Sequence, residues 1–337
     1  MEKKHFTEDI VEVISKNPMY AFAPEAIKID LMRNLQRIKD LKVNILITGA
    51  TGCGKSSTIN AMFNTNKAKV GQGSTPETMD IAKYEMDNVI IYDSPGLGDG
   101  KEADIRHSKN IIGKLLEKDS DGNLLIDLVL VILEGSTRDL GTSFELINNI
   151  IIPNLGEDKQ RLLVAINQAD VAMKGRGWNF QKNEPEPVLV KFLEEKCLST
   201  KNRIKEATGV DVDPIYYAAG YKDGDSAQQP YNLSKLFLFI LRHTKKEKRA
   251  VFAQDMNRNE EMWKKHDEVA DYEKEIKKSF TESVMDGIST GADIGGKIGK
   301  QIGIPGAETA GKAIGAVIGG VVSAVSSVVS GIFGGWW

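Results

Sequence analysis

The sequence predicts an α/β fold with a mostly parallel six-stranded sheet, one antiparallel edge strand, and helical extensions at both ends. Between residues 43 and 245, short β-rich runs alternate with helical patterns, which indicates a sheet covered by helices on both faces. A strand, a glycine-rich turn and a helix follow one another over residues 43–63. Asp87-Asn88 separates two β-rich runs and predicts a hairpin, which makes one edge strand antiparallel.

The individual elements are predicted from the period of their apolar residues. Residues 7–40 are typical of two helices, and residues 172–185, with their glycines and proline, of a surface loop. The strand candidates are residues 43–48, 80–86, 88–92, 126–133, 160–166 and 213–217. The helix candidates within the same region are residues 55–64, 103–118, 140–151, 187–207 and 231–243.

Composition limits the classes of function. The 337 residues allow about two domains, and a formal net charge of −3 offers no basic footprint for nucleic acid. Two cysteines, Cys53 and Cys197, do not form a disulfide framework, which favours a reducing compartment. Residues 1–9 lack the apolar core of a secretory signal. We expect a cytoplasmic protein with no specific nucleic-acid partner.

The stretch Gly49-Ala50-Thr51-Gly52-Cys53-Gly54-Lys55-Ser56 has the spacing of a phosphate-binding loop. Its glycines let consecutive backbone N–H groups turn inward around a phosphate, and the following helix N-terminus adds partial positive charge. Lys55 is predicted to reach the β- and γ-phosphates, and the Ser56 hydroxyl to bind Mg²⁺. An ordinary glycine-rich turn is the alternative. The flanking strand and helix favour a nucleoside triphosphate site.

A second motif, Asp93-Ser94-Pro95-Gly96, closes the strand after the predicted hairpin. An acidic residue there can hold Mg²⁺ through water, and the Gly96 N–H can contact the γ-phosphate and respond to its loss. Turns use aspartate and glycine often, so the motif alone is a weak signal. Its position one hairpin after the phosphate loop favours the nucleotide-binding interpretation.

A third motif, Asn167-Gln168-Ala169-Asp170, ends the apolar run of residues 162–166. A carboxylate at Asp170 can accept both N–H groups on the guanine edge, which adenine does not offer. Asn167 can tie this loop to the phosphate loop, and the stem of Gln168 can lie against the base. An Asx turn after a strand is the alternative. Together with the two upstream motifs, this one predicts guanine.

Taken in order, the three motifs resemble the signature of translation-factor-type GTPases, closest to the Era/septin/immunity-related branch. The chain is also similar to bacterial Era-like GTPases with a C-terminal glycine-zipper tail. The resemblance covers residues 43 to about 245. It implies a P-loop GTPase fold, hydrolysis of GTP, and GTP or GDP with Mg²⁺ as cofactors.

The resemblance also assigns roles to residues of this sequence. The residues assigned to nucleotide binding are Gly49, Gly52, Cys53, Gly54, Lys55, Ser56, Ser57, Asn167, Gln168, Asp170, Ala218 and Ala219. Those assigned to catalysis are Lys55, Thr78 and Gly96, and those assigned to Mg²⁺ are Ser56, Thr78 and Asp93. The first-switch threonine stays open between Thr75 and Thr78, and Thr78 is preferred because it directly precedes a predicted strand.

Three departures from the family pattern bear on function. Gln168 replaces the usual lysine, which weakens packing on the base without altering the choice of guanine. Leu97 stands where many relatives carry a water-positioning glutamine, so we expect slow hydrolysis unless a second chain or another residue completes the site. Gly52 replaces the asparagine of potassium-activated relatives, so we expect no potassium activation. The resemblance implies a homodimer or oligomer across the nucleotide face.

The chain changes character twice after residue 245. Residues 246–286 interleave charges of both signs, which predicts an exposed helical linker in which Trp263 and Tyr272 are packing anchors. From residue 287, glycine or serine recurs every four residues on both sides of Pro305, which predicts two helices packed closely through a small-residue face. Residues 313–337 contain no charged residue and end in two tryptophans, and at about 1.5 Å per residue they can span a bilayer.

These features predict four domains and leave two functions open. The domains are a helical extension (1–41), a GTPase domain (42–245), a charged helical linker (246–286) and a glycine-zipper hairpin (287–337). The first hypothesis is a GTP-hydrolysing switch whose nucleotide state controls a tail, residues 287–337, that acts on membrane lipid. The second is a soluble regulatory GTPase, for example on ribosomes, whose tail serves oligomerisation.

Overall fold

A computed structural model describes residues 4–63, 81–98, 100–137, 140–221, 228–286 and 307–333. These residues fall into two compact units. The α/β unit contains residues Val43–Thr244 and Asn257–Ala270. The helical unit contains the described residues up to Lys42, the segment Lys245–Met256, and the described residues from Asp271 onward. The chain therefore passes between the two units more than once.

The α/β unit is built on a six-stranded sheet with the order β2-β3-β1-β4-β5-β8. Five strands are parallel, and β2 pairs with β3 in the antiparallel direction, as the hairpin signal predicts. The sheet strands are β1 (Val43–Gly49), β2 (Ala82–Glu85), β3 (Val89–Asp93), β4 (Leu128–Glu134), β5 (Leu162–Asn167) and β8 (Ile215–Tyr216). The predicted α/β class and the predicted strand number are confirmed.

Helices flank this sheet within a few residues of their predicted bounds. They are α3 (Lys55–Phe63), α4 (Lys101–Leu116), α5, α6 (Pro187–Thr208) and α7 (Leu233–His243). Helix α5 consists of Gly141–Glu145, a π-helical segment Leu146–Ile151, and Ile152–Asn154. All residues of β1, β3 and β5 are buried, because helices on both faces leave these strands no solvent-facing side. Parallel strands end at one edge, and the loops at that edge form the candidate site.

The prediction of a surface loop over residues 172–185 is wrong in part. This segment contains a short 3-10 helix, Ala172–Gly175, and a two-stranded hairpin of β6 (Trp178–Asn179) and β7 (Glu184–Pro185). Trp178 is buried and meets Tyr231 edge-on, with ring centroids 5.4 Å apart. Burying this indole anchors the hairpin on the unit, an outcome that the glycine-rich composition did not indicate.

The helical unit brings both ends of the described chain together. It contains α1 (Phe6–Ser15), α2 (Glu25–Asp40), the 3-10 helix Lys246–Gln254, α8 (Tyr272–Val284) and α9 (Ala307–Phe333). Buried polar groups tie these distant segments: the Phe6 N–H donates to Gln254 Oε1 at 2.9 Å, and Asn34 Nδ2 donates to Ser283 O at 3.2 Å. Such pairing satisfies backbone groups that would otherwise be buried without a partner.

The charged segment 246–286 is not an exposed linker. Val251 and Phe252 of its first helix are fully buried, and so are Ile276 and Phe280 of α8. Within α8, the buried apolar side chains recur at helical spacing between the charges, so a segment with high average charge still has an apolar face. The predicted anchors Trp263 and Tyr272 are both buried.

The tail helix α9 packs through its valines rather than its glycines. Its buried positions are Val317, Gly320, Val321, Ala324, Val325, Val329 and Ile332. In contrast, Gly315 and Gly319 of the predicted small-residue face are exposed, and a Cβ built on either meets no described atom within 4 Å. Valine buries more apolar area than glycine, which favours this orientation against α1 and α8. The glycine face of this helix therefore meets no close partner among the described residues, and its predicted packing against the first arm stays a prediction.

The tail prediction also included a first glycine-rich arm and a membrane-spanning segment. The first glycine-rich arm, Pro305 and the paired tryptophans lie outside the described residues. Within the part of the chain that the structure describes, no helix combines the length and apolar character needed to cross a membrane.

Candidate functional site

The phosphate loop lies between the end of β1 and the start of α3, as predicted. Gly54 has φ +89°, and a Cβ there would lie 2.2 Å from Asn167 Nδ2. A Cβ on Gly49 would lie 2.2 Å from Ile132 O of the neighbouring strand. Since both distances are far below van der Waals contact, only glycine fits these positions. The loop can therefore pass close to two neighbouring segments of the chain.

The charged and hydroxyl groups of this loop stand at the start of α3. Lys55 Nζ donates to the Gly49 and Ala50 carbonyl oxygens, at 3.3 and 3.2 Å. Ser56 is half-buried and Ser57 buried. Cys53 is fully buried, and this burial raises the pKa of its thiol. The predicted nucleotide contact of Cys53 is thus restricted to its backbone.

Asp93 and Ser56 form the candidate Mg²⁺ position. The Ser56 hydroxyl lies 3.5 Å from Asp93 Oδ2, and the Asp93 side chain is buried. Burial raises the pKa of Asp93 to about 6, although Lys55 and the Ser56 hydroxyl act in the opposite direction. Asp93 Oδ1 has no hydrogen-bond partner among the described residues. A hydroxyl and an unsatisfied carboxylate oxygen are the ligand types that Mg²⁺ prefers.

The described residues include no group of three or more acidic, histidine or cysteine side chains arranged to hold a metal. A Mg²⁺ ion held by Ser56 and Asp93 would take further ligands from water and substrate phosphates, in addition to the predicted ligand Thr78. Magnesium ions in nucleotide sites characteristically bind in this way. The residues present thus fit a nucleotide-bound Mg²⁺ ion and do not resemble an all-protein metal cage.

The second motif is joined directly to the phosphate loop. The Thr51 N–H donates to Leu97 O at 3.1 Å, and Ala50 and Leu97 form a parallel bridge. A Cβ on Gly96 would lie 2.3 Å from Thr51 Oγ1, so this approach requires glycine. The Leu97 side chain is buried in the hydrophobic core. This side chain therefore lies away from solvent, and it has no polar group that could orient an attacking water.

Sequence reasoning missed His107 of α4. Its ring is buried, and Nδ1 lies 3.0 Å from Gly96 O. The only sequence signal for His107 was its helical spacing from Ile111 and Leu115, with which it shares the buried face of α4. A histidine on an apolar face usually belongs to the core, and the contact with Gly96 appears only in three dimensions.

Asn167 joins three loops at the carboxyl edge of the sheet. Its Nδ2 donates to Cys53 O in the phosphate loop, and its Oδ1 accepts from the Ala219 N–H, both at 2.9 Å. Ala218 and Ala219, which the resemblance assigns to nucleotide binding, are therefore held beside the third motif. The amide side chain of Asn167 satisfies backbone groups from two distant parts of the chain.

Two further residues of the third motif, Gln168 and Asp170, and one residue outside it, Gln228, complete this part of the site. Gln168 has φ +62°, and its Nε2 donates to Gly52 O at 2.8 Å. Asp170 is buried. Gln228, which sequence reasoning did not single out, donates to Ser57 O at 2.9 Å and Ala219 O at 2.6 Å. Its signal was weak, since a glutamine in an irregular segment has no characteristic spacing.

The structure thus brings the phosphate loop, Asp93, Gly96 and the Asn167 loop to one edge of the sheet. Thr75 and Thr78 lie outside the described residues, so the choice between them stays a prediction.

Residues 44–168 match the model of the MMR_HSR1 family, described as "50S ribosome-binding GTPase". The matched residues run from the phosphate loop through the second motif to the start of the Asn167 motif. The α/β unit that contains them has the sheet order and motif placement of a P-loop GTPase fold. It is called the GTPase unit below.

Two kinds of relatives were found. The chain is 25% identical over 169 residues to GTPase Der of Mycoplasma capricolum subsp. capricolum, which covers 48% of this chain and 34% of Der. The match therefore spans about a third of the length of this curated relative.

The solved structures are more distant. Era of Aquifex aeolicus bound to GDP·AlF4⁻ is 18% identical, covers 61% of this chain and 58% of its own, and has a TM-score of 0.37. Toc33 of Arabidopsis thaliana in complex with GDP and Mg²⁺ is 16% identical, covers 66% of this chain and 93% of its own, and has a TM-score of 0.43.

Proposed function

We propose that this chain binds GTP and GDP with Mg²⁺ and hydrolyses GTP. The observation that carries the proposal is the double hydrogen bond of Asn167, to Cys53 O and from the Ala219 N–H. It supports the proposal because it holds the Asn167 motif and the loop with Ala218 and Ala219, which we propose to contact guanine, beside the phosphate loop. Three segments that are distant in sequence thereby come together at the carboxyl edge of the sheet, where ligands bind in open α/β folds. They are the phosphate loop, the Asn167 motif and the loop with Ala218 and Ala219.

Each group then has a chemical role. Lys55 and the backbone N–H groups of the phosphate loop bind the β- and γ-phosphates, and Ser56 and Asp93 hold Mg²⁺ directly or through water. When bound, Mg²⁺ neutralises part of the charge on the phosphate oxygens. The Gly96 N–H contacts the γ-phosphate, and Thr78 is the preferred first-switch residue. Asp170 accepts from guanine, and Gln168 lies beside the base.

Guanine specificity is the most direct test. Replacing Asp170→Asn removes a charged acceptor for guanine, which should weaken GTP and GDP binding by about 2 kcal/mol. The same variant should bind xanthine nucleotides better, because the asparagine amide can donate to the carbonyl that xanthine carries in place of the amino group. Binding is measured by titration of labelled nucleotides. Equal affinity of the wild type for ATP and GTP would refute guanine recognition.

We further infer that the nucleotide state governs when the tail, residues 287–337, becomes accessible. Supporting this, α9 buries its apolar face within the helical unit, where Val321 and Val329 are fully buried. A long apolar helix left exposed would promote aggregation, so the protein benefits from keeping it covered. GTP-dependent release of the tail would be a shift in the populations of two conformations, and it would start at the switch segments around Thr78 and Gly96. Membrane lipid is the proposed target of the released tail.

The second candidate is a ribosome-associated GTPase whose tail serves oligomerisation. It is supported by the description of the matching family model. Liposome flotation and ribosome sedimentation of the full chain and of a chain ending at Asp286, each with GDP and a non-hydrolysable GTP analogue, separate the two. Tail-dependent flotation supports the membrane role. If neither form floats and both sediment with ribosomes, the second candidate replaces the first.

A further inference from the structure

We propose that His107 is a positioning residue that holds Gly96 and couples the second switch, here residues 93–98, to α4. The inference rests on the proposed function, in which the Gly96 N–H contacts the γ-phosphate. His107 itself would touch no nucleotide. It would act by fixing the place of the Gly96 peptide and by moving α4 when that peptide moves.

The first support is the contact itself. Nδ1 of His107 lies 3.0 Å from Gly96 O, and the ring is 1% exposed. A carbonyl oxygen can only accept, so Nδ1 carries the hydrogen, which fixes the tautomer of a neutral ring. Gly96 itself is half-buried, so the bond is partly shielded from water, and breaking it would leave the buried ring nitrogen without a partner among the described residues.

The second support is the poor fit of histidine to a purely packing role. Nε2 of His107 has no hydrogen-bond partner among the described residues. Leaving a buried nitrogen unpaired is unfavourable, whereas leucine would fill a similar space without that penalty. The neighbouring positions on this face, Ile111 and Leu115, are indeed aliphatic. Packing alone therefore does not favour histidine, but the bond to Gly96 does.

The third support is that Gly96 also lies close to the phosphate loop. A Cβ on Gly96 would lie 2.5 Å from the Thr51 N atom, and the Thr51 N–H donates to Leu97 O. Gly96 is thus fixed between the phosphate loop and His107. A γ-phosphate that draws Gly96 toward itself must either break the bond to His107 or move α4.

A second contact from α4 reaches the same loop. Asp104 Oδ1 accepts from the Gly98 N–H at 2.9 Å, near the start of the helix. Two side chains one turn apart therefore hold alternate residues of the second switch. The Asp104 bond is exposed to water, whereas the His107 ring is buried, so the histidine provides the firmer link.

The first experiment needs no nucleotide. Hydrogen exchange of the full-length protein is followed by mass spectrometry in the wild type, His107→Leu and His107→Asn. His243→Leu is the matched control, because His243 Nδ1 also contacts a backbone carbonyl, Phe239 O at 2.8 Å, within its own helix. We expect exchange of the peptide containing residues 94–98 to rise about tenfold or more in His107→Leu. His107→Asn, which keeps a donor, should show a smaller rise, and the control none.

The second experiment measures turnover. His107→Leu should lower kcat for GTP by about ten- to a hundredfold while GDP affinity stays within about twofold, since GDP lacks the phosphate that Gly96 meets. His107→Asn should recover most of the rate. A residue that merely stabilised the fold would change GDP binding as well and would not be rescued by asparagine.

Several outcomes would overturn the inference. Unchanged exchange at residues 94–98 together with unchanged kcat in His107→Leu would do so. Global destabilisation without a local rise in exchange would do so as well. If His107→Leu does not fold, nitrogen NMR of wild-type His107 decides, because an Nε2-protonated neutral ring contradicts the bond to Gly96. A wild type that binds no GTP would refute the proposed function, while the exchange comparison would still test His107.

Discussion

At the scale of the residue, the GTPase unit uses side chains to place backbone groups. Asn167 holds both Cys53 O and the Ala219 N–H, and Gln168 holds Gly52 O. Cys53 is itself fully buried, so it contributes packing beneath the loop. Lys55 and Asp93 are the charged groups that we propose to lie at the phosphates and Mg²⁺. Phosphoryl transfer depends mainly on positioning and electrostatics, which makes this backbone framework as important as the charges.

Lys55→Ala should weaken GTP binding by about ten- to a hundredfold, because the ammonium offsets phosphate charge that backbone N–H groups only partly neutralise. Ser56→Ala should chiefly reduce Mg²⁺-dependent binding and turnover. Titration of labelled GTP with and without Mg²⁺ measures both effects. Lys201→Ala, which removes a surface lysine paired with Asp213, is the control and should bind normally. Wild-type turnover in both site variants would contradict the phosphate-loop assignment.

At the scale of the element, α9 shows that the faces of one helix can have opposite roles. Val321 and Val325 lie on the buried face, and Gly315 and Gly319 on the exposed one. Both sets recur every four residues, so the sequence period is equally compatible with either face turning inward. Burial of apolar area against α1 and α8 decides between them.

Substitutions on the two faces of α9 should have opposite effects on the free energy of unfolding. Val321→Ala removes buried methyl groups and should lower the free energy of unfolding by about 2 kcal/mol. Gly319→Ala should raise it by up to about 1 kcal/mol, because alanine favours the helix and the new Cβ meets no described atom within 4 Å. Urea unfolding followed by circular dichroism measures both. Marked destabilisation by Gly319→Ala would indicate that the glycine face packs closely in solution.

At the scale of the whole molecule, the chain builds its two units from interleaved segments. Residues 257–270 belong to the GTPase unit, although the segments on either side of them belong to the helical unit. The helical unit also joins α1 to α9, which lie near opposite ends of the sequence. Forming such long-range contacts requires the intervening chain to be ordered, which slows folding relative to local helix pairing.

We expect GTP hydrolysis per molecule to rise with protein concentration. Leu97 is buried in the core and offers no group that orients water, so a residue from a second copy is proposed to complete the site across the nucleotide face. Association then controls the fraction of competent sites by mass action. Specific activity is measured over about a hundredfold range of concentration. A constant value would place the missing group in the same chain.

The sequence by itself determined the α/β class, the positions of the sheet strands along the chain and the location of the phosphate loop. These follow from local chemistry: glycines at fixed spacing, apolar runs of strand length, and a turn signal at Asp87-Asn88. The three site motifs were predictable because each is a short stretch with its own spacing. The hairpin over residues 178–185 was not, since it depends on burying Trp178.

Only the tertiary structure decided which side of each amphipathic segment faces inward and which distant residues meet. The glycine period of the tail predicted a packing face, but neighbouring helices selected the valines. The charges of residues 246–286 predicted exposure, yet Phe252 and Phe280 lie in the core. His107 and Gln228 reach the site through contacts that no local spacing encodes. The physical reason is that burial and hydrogen bonding act between surfaces, and the partner surface is absent from any single stretch of sequence.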